Sequence, residues 1–167
     1  LGHRLVADGV VAGGGAELTL FAKLGTFAQY SCVSQDQVIK VDADLPLEAV
    51  ALVSCGVATG WGSATNRAAV TVGDTVVVVG IGGIGINAVQ GAAMAGARHV
   101  IAVDPVEWKR QAAIDTFGAT HGAASMEEAH ALVNDLTWGA GADKALLCVG
   151  LATGDLIAPM MSMVTKG

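Results

Sequence analysis

The 167-residue sequence predicts an α/β domain built on a doubly wound parallel sheet, on three observations. Val76-Val77-Val78-Val79 and Val100-Ile101-Ala102-Val103 are unbroken apolar runs, the pattern of parallel strands buried on both faces. The first run ends in Gly80-Ile81-Gly82-Gly83-Ile84-Gly85 and the second in Asp104. Helix-compatible stretches alternate with short apolar runs through the rest of the chain, as crossover connections between parallel strands require.

Taken in order, residues 1–24 read as irregular, with Gly13-Gly14-Gly15 marking a loop or linker. Two strands are expected around Thr26 to Val33 and Gln37 to Val41, ending in a polar turn before Pro46. From Pro46 to about Arg67 the pattern is helical, and Gly56, Gly60 and Gly62 are expected to split it into two helices. The run at 76–79 is the first strand of the parallel sheet, Ile86 to Ala97 the helix that follows it, and 100–103 the second strand. Pro105 opens a helix over Val106 to Phe117, with Gly118 as its stop. Ala119 to Ala123 is a short third strand. Ser125 and Glu128 form a capping-box pattern for a helix that Gly139 ends. Lys144 to Val149 is the fourth strand and Asp155 to Val164 another helix. The usual strand order for this fold is 3-2-1-4-5-6. Four strands are visible, so the sheet is expected to be a Rossmann sheet truncated after its fourth strand, and the chain a fragment.

The glycine segment has the chemistry of a dinucleotide site. A helix opening straight after a buried strand aims its free N–H groups at an anion. Gly80 suits the tight turn, Gly82 the close approach of backbone to a pyrophosphate, and Gly85 the packing of helix on strand. Asp104 stands 24 residues after Gly80, where a carboxylate accepts hydrogen bonds from the adenosine ribose. The competing readings are a glycine-rich turn that binds nothing and an Asp104 that only caps the helix after Pro105. Capping and ribose binding are compatible.

Composition narrows the classes. A 53% hydrophobic content with 14% charged residues suits a large buried sheet. The apolar runs are shorter than the roughly 20 residues that cross a bilayer, so no membrane partner is expected. A formal charge of −6 argues against a nucleic-acid partner, which demands a basic surface. Cys32, Cys55 and Cys148 are unevenly spaced without a preceding signal peptide, so a disulfide framework is not expected and a cytoplasmic setting is. His3, His99, His121 and His130 lack ligand-like spacing to Cys55, and Met160, Met161 and Met163 read as core filler. Trp61 reads as packing or as the wall of a substrate channel.

Cys55-Gly56-Val57-Ala58-Thr59-Gly60-Trp61-Gly62-Ser63-Ala64, followed by the glycine turn and Val103-Asp104, resembles the zinc-dependent medium-chain alcohol dehydrogenases. Ile86 to Ala92, Asp104 to Arg110 and Phe117 to His121 resemble their NDMA-dependent, mycofactocin-associated branch. The similarity covers roughly residues 24–167. It implies that residues 1–45 are the C-terminal part of a GroES-like catalytic domain and 46–167 an incomplete dinucleotide-binding domain. It implies NAD and Zn as cofactors, with Cys55 as a catalytic zinc ligand and Thr59 beside the nicotinamide. Gly80, Gly82, Gly83, Ile84 and Gly85 match the pyrophosphate turn, Asp104 and Lys109 the ribose contacts, and Val149 a position near the cofactor. Cys32 and Cys148 match no ligand.

From residue chemistry alone, Cys55 is also readable as a small buried hydrophobe. The family's other zinc ligands lie in a region absent from this sequence. The implied parent is a homo-oligomeric enzyme that oxidises a small-molecule alcohol to an aldehyde or ketone, its NAD exchanged or recycled in place by an external acceptor; this chain alone is expected to be inactive. A zinc-free, quinone-type reductase and a non-catalytic nucleotide-binding fragment are the alternatives.

Overall fold

A computed structural model describes residues 5–6, 9–11, 17–18, 24–26 and 29–165. The chain divides into two compact units, Leu1–Leu45 and Pro46–Gly167. The first carries three short strands, β1 (Leu5–Val6), β2 (Gly9–Val11) and β3 (Glu17–Leu18), paired antiparallel in that order. Strands therefore occur where the sequence read as irregular. They are two or three residues long, too short to leave an alternating pattern. Gly13-Gly14-Gly15 lies outside the described residues.

The strands expected at Thr26 to Val33 and Gln37 to Val41 do not form among the described residues there. Residues Gln35–Gln37 instead make a 3-10 turn, and Ser34 Oγ accepts a hydrogen bond from Asp36 N at 3.4 Å. A local side-chain bond of this kind competes with a strand ladder for the backbone.

The second unit opens with one helical run, Leu47–Arg67. It comprises α1 (Leu47–Leu52), a π segment at Val53–Val57, α2 (Ala58–Gly62) and a second π segment at Ser63–Arg67. The three glycines do not split it. At 21 residues and a mean hydropathy of 1.2 the run is long and apolar enough to cross a membrane, a property the reading of short apolar runs missed. Gly60 and Ala64 on this run are buried against α3 (Gly83–Met94). A Cβ on Gly60 would overlap the Ile84 carbonyl oxygen, and a Cβ on Gly91 would lie 3.2 Å from Ala64 Cβ and Trp61 O. The two helices cross backbone to backbone, so glycine is retained at Gly60 by lack of space.

The parallel sheet comprises β4 (Thr75–Val79), β5 (His99–Val103), β6 (His121–Ala123) and β7 (Lys144–Leu147), in the spatial order β6-β5-β4-β7. This is the 3-2-1-4 arrangement of a Rossmann half. Val77 pairs with Ile101 on one side and Ala145 on the other. Alternate residues face opposite layers. Val76, Val78, Val100 and Ala102 pack with Ala88, Val89 and Ala92 of α3 and with Ala113 of α4 (Glu107–Asp115). Val77, Val79, Ile101 and Val103 pack with Ala129 and Val133 of α5 (Met126–Thr137) and Met163 of α6 (Gly154–Met163). Both faces are apolar because both are covered.

The capping box forms with one change of partner. Ser125 Oγ accepts from Glu128 N at 3.2 Å, but Glu128 Oε2 accepts from Ala124 N at 2.6 Å, one residue before the serine. Trp138 closes α5 in the left-handed conformation with φ 54°, followed by Gly139 at φ 83°. Beyond α6, Val164 forms a parallel bridge with Ala142. Thr165 N donates to Ala142 O and Ala142 N to Met163 O, at 2.9 and 2.7 Å, so the chain turns back along the outer edge of the sheet just ahead of β7.

Candidate functional site

Strand β4 delivers its last residue into a turn that is held on three sides. Gly80 N donates to Val103 O at 2.8 Å, and Gly80 has φ +89°, a conformation costly for any residue with a Cβ. Such a Cβ would also lie 2.8 Å from Val149 Cγ1. Val149, expected near the cofactor, thus packs directly on the turn. Gly85 is buried, and a Cβ there would overlap Gly80 O. Gly82 and Gly83 face open space, with nothing within 4 Å of where a Cβ would stand.

The open side is where helix α3 begins. Gly82 is its N-cap and makes no side-chain cap, so the first N–H groups of a 12-residue helix point outward without intrahelical partners. Ile84 stands at the rim, 37% exposed. Free N–H groups, the positive end of the helix dipole and room for backbone approach together make an anion cradle.

Asp104 ties this turn to the next. The residue is 5% exposed; its Oδ2 accepts from Ile81 N and its Oδ1 from Val106 N, each at 2.9 Å. Lys109 Nζ lies 3.5 Å from Oδ2, and Arg110 Nη1 donates to the Asp104 carbonyl at 2.7 Å. A carboxylate offers about four lone-pair sites. Three are engaged, leaving one on Oδ1 for a hydroxyl. The capping and ribose readings of Asp104 therefore occupy different lone pairs of one group.

Beside the turn, a cavity of ~310 Å³ opens between α3 and α4, lined by Ile81, Gly82, Gly83, Ile86, Trp108, Lys109, Ala112 and Phe117. The sequence reading assigned no role to this cavity. Its one available signal is an aromatic, Trp108, set in the polar run Glu107-Trp108-Lys109-Arg110. Cys148 was also passed over as a neighbour of the turn. Its N donates to Val79 O at 2.7 Å, and burial pushes its thiol above the ordinary value.

Cys55 and Thr59 lie on the helical run above α3. Their Sγ and Oγ1 are 3.9 Å apart and both residues are exposed. A Cβ on Gly56 would lie 3.7 Å from Gly83 C and O, so the segment carrying Cys55 sits over the start of α3. Cys55 is exposed in this chain. Among the described residues no group of three His, Cys, Asp or Glu side chains is placed to hold a metal, whereas a catalytic zinc takes three protein ligands. The described residues do not fit zinc by themselves. They do fit a dinucleotide, on the open glycines and the one free lone pair of Asp104.

A family model described as zinc-binding dehydrogenase matches residues 83–167, half of the 167-residue chain. The NDMA-dependent alcohol dehydrogenase of Amycolatopsis methanolica is 53% identical over 154 residues, which are 92% of this chain and 41% of that protein. The putative alcohol dehydrogenase D of Mycobacterium tuberculosis (strain ATCC 25618 / H37Rv) is 48% identical over 153 residues, with the same coverage of 92% and 41%. Among solved structures, benzyl alcohol dehydrogenase from Acinetobacter calcoaceticus superposes with a TM-score of 0.68 at 30% identity, over 76% of this chain and 34% of that one. The chain thus spans 41% of the length of these curated relatives. With a parallel sheet in 3-2-1-4 order, a glycine turn closed on Asp104 and a family match over residues 83–167, the chain belongs to the zinc-binding dehydrogenases.

Proposed function

We propose that the full-length protein oxidises a small-molecule alcohol to an aldehyde or ketone with NAD as hydride acceptor, and that this chain supplies the dinucleotide-binding half. The observation that carries the reading is the glycine turn joined to the buried Asp104 carboxylate at 2.9 Å. When bound, NAD would supply the acceptor for the hydride of the carbinol carbon, with the hydroxyl proton released to solvent. Gly82, Gly83 and the first N–H groups of α3 hold the pyrophosphate, and the free lone pair of Asp104 Oδ1 takes a ribose hydroxyl. Lys109 balances the charge that the carboxylate brings to the site. Asp104 also sets the choice of nucleotide, since a 2′-phosphate would meet a carboxylate there.

Cys55 contributes one thiolate to a zinc site whose remaining ligands come from outside the described residues, and Thr59 lies toward the nicotinamide. Leu1–Leu45 is the end of a GroES-like catalytic domain. The alternative is a zinc-free reductase of the same fold, which would leave Cys55 without a metal. A cytoplasmic homo-oligomer is the setting we propose.

The test is alcohol-dependent turnover of the full-length protein, measured with added NAD and, separately, with NDMA, for which the Amycolatopsis relative is named. Turnover with NAD supports free exchange, and turnover with NDMA alone supports a retained nucleotide. Inactivity with both, in a protein that still binds NAD, would remove alcohol oxidation from the reading. Asp104→Ser should narrow the preference for NAD over NADP, and an unchanged ratio of dissociation constants would take Asp104 out of that role.

A further inference from the structure

We propose that Trp108 is a further dinucleotide-contacting residue, its indole forming the α4 wall of the cavity that receives the adenosine ribose. The inference rests on the dinucleotide reading above. Two residues tie the cavity to the ribose end of the site: Gly82 belongs to the open turn, and Lys109 Nζ lies 3.5 Å from Asp104 Oδ2. Trp108 precedes Lys109 at the start of α4 and lines the same ~310 Å³ space, with Ile86 and Phe117 deeper in.

Among the described residues Trp108 has no packing duty that explains it. The side chain is 69% exposed, and its indole N–H has no hydrogen-bond partner among the described residues. An exposed tryptophan on a helix whose other surface residues are mostly polar is an unused apolar area joined to an unused donor. A sugar edge suits that combination, because ribose offers C–H groups to the ring face and hydroxyl oxygens to the N–H. Lys109 is engaged with Asp104, so the wall of the cavity beside it is left to the indole.

Trp138 provides an internal comparison. It is 94% exposed but lies with Thr75 and His99, the first residues of β4 and β5, at the opposite end of the strands from the glycine turn. NAD binding to the full-length protein, freed of nucleotide, would be measured by calorimetry for wild type, Trp108→Ala, Trp108→Phe and Trp138→Ala. Trp108→Ala should weaken NAD about tenfold, with Trp108→Phe restoring most of the loss and Trp138→Ala matching wild type. In parallel, the fraction of tryptophan emission that NAD quenches should fall in Trp108→Phe and stay as in wild type in Trp138→Phe. Trp108→Ala within about twofold of wild type, or an equal loss in Trp138→Ala, would overturn the proposal while leaving the dinucleotide reading intact. Failure of the wild type to bind NAD would overturn both.

Discussion

Replacing Asp104 by asparagine keeps the shape of the side chain and removes half of its accepting capacity. The carboxylate takes one N–H from each of two strand-to-helix turns, Ile81 N on Oδ2 and Val106 N on Oδ1, both at 2.9 Å. An amide has one oxygen, so one of these N–H groups must face an NH2 donor. Leaving such a group unsatisfied costs about 1–3 kcal/mol, and turning the surviving bond from charged to neutral costs about 1 more. The Lys109 pair, with its lysine side chain 29% exposed, adds little, at most about 1 kcal/mol. The sum is about 3 kcal/mol. Thermal and urea unfolding of the full-length protein and the Asp104→Asn variant, without nucleotide, measure it. A loss below about 0.5 kcal/mol, the range of ordinary surface substitutions, would refute the view that this carboxylate clamps the two turns together.

Three other outcomes are expected. Cys55→Ala in the full-length protein should remove nearly all alcohol oxidation and the catalytic zinc while NAD affinity changes by less than about tenfold, roughly 1.4 kcal/mol; full activity with normal zinc content by metal analysis would make Cys55 structural. Gly60→Ala should destabilise by about 1–3 kcal/mol in urea titration, although alanine favours helices, because its Cβ is forced into a backbone carbonyl; an unchanged midpoint would show that the helices part freely. Burial, Arg98 and His121 hold His99 below its ordinary value of 6.5, so the unfolded chain binds the more protons: the His99 contribution is whole above pH 6.5 and is lost as pH falls through that value toward the lower folded one. His99→Gln should flatten that part of the stability profile, and an unchanged slope would assign it to other groups.

The parts of the fold legible in the sequence are those in which burial or lack of space dictates residue type. Val76 to Val79 must be apolar on both faces because α3 and α4 cover one and α5 and α6 the other, and this left an unbroken run. Gly80 meets Val149 and Gly85 meets the Gly80 backbone, so the turn could be placed to the residue. Ser125 caps α5 where the sequence placed the box, and only the partner of the Glu128 carboxylate differs, Ala124 N donating to it in place of the serine N–H. The helical run Leu47–Arg67 was misread for the opposite reason. Gly56, Gly60 and Gly62 look like breaks by propensity, yet Gly60 answers to α3, a partner distant in sequence that propensity does not see. Strands of two or three residues, as in β1 to β3, carry too few side chains to show a period. Around the glycine turn, the closeness of Asp104 to the glycines was legible through spacing, whereas the cavity that Trp108 lines was not, since an exposed aromatic has no periodicity to break.

The contact of Gly60 with Ile84 joins two places that are far apart in function. The Cys55–Thr59 segment and the first turn of α3 touch through main chain, at Gly60 on Ile84 and at Gly56 over Gly83, with no flexible side chain between them to absorb a displacement. A displacement of the Cys55–Thr59 segment would therefore reach the first N–H groups of α3, which the proposed reading assigns to the pyrophosphate. Linkage then runs both ways: the factor by which a ligand at Cys55 alters nucleotide affinity is the factor by which the nucleotide alters affinity at Cys55. On the proposed reading, this glycine seam is the route by which a ligand at Cys55 and a nucleotide at the turn would be coupled.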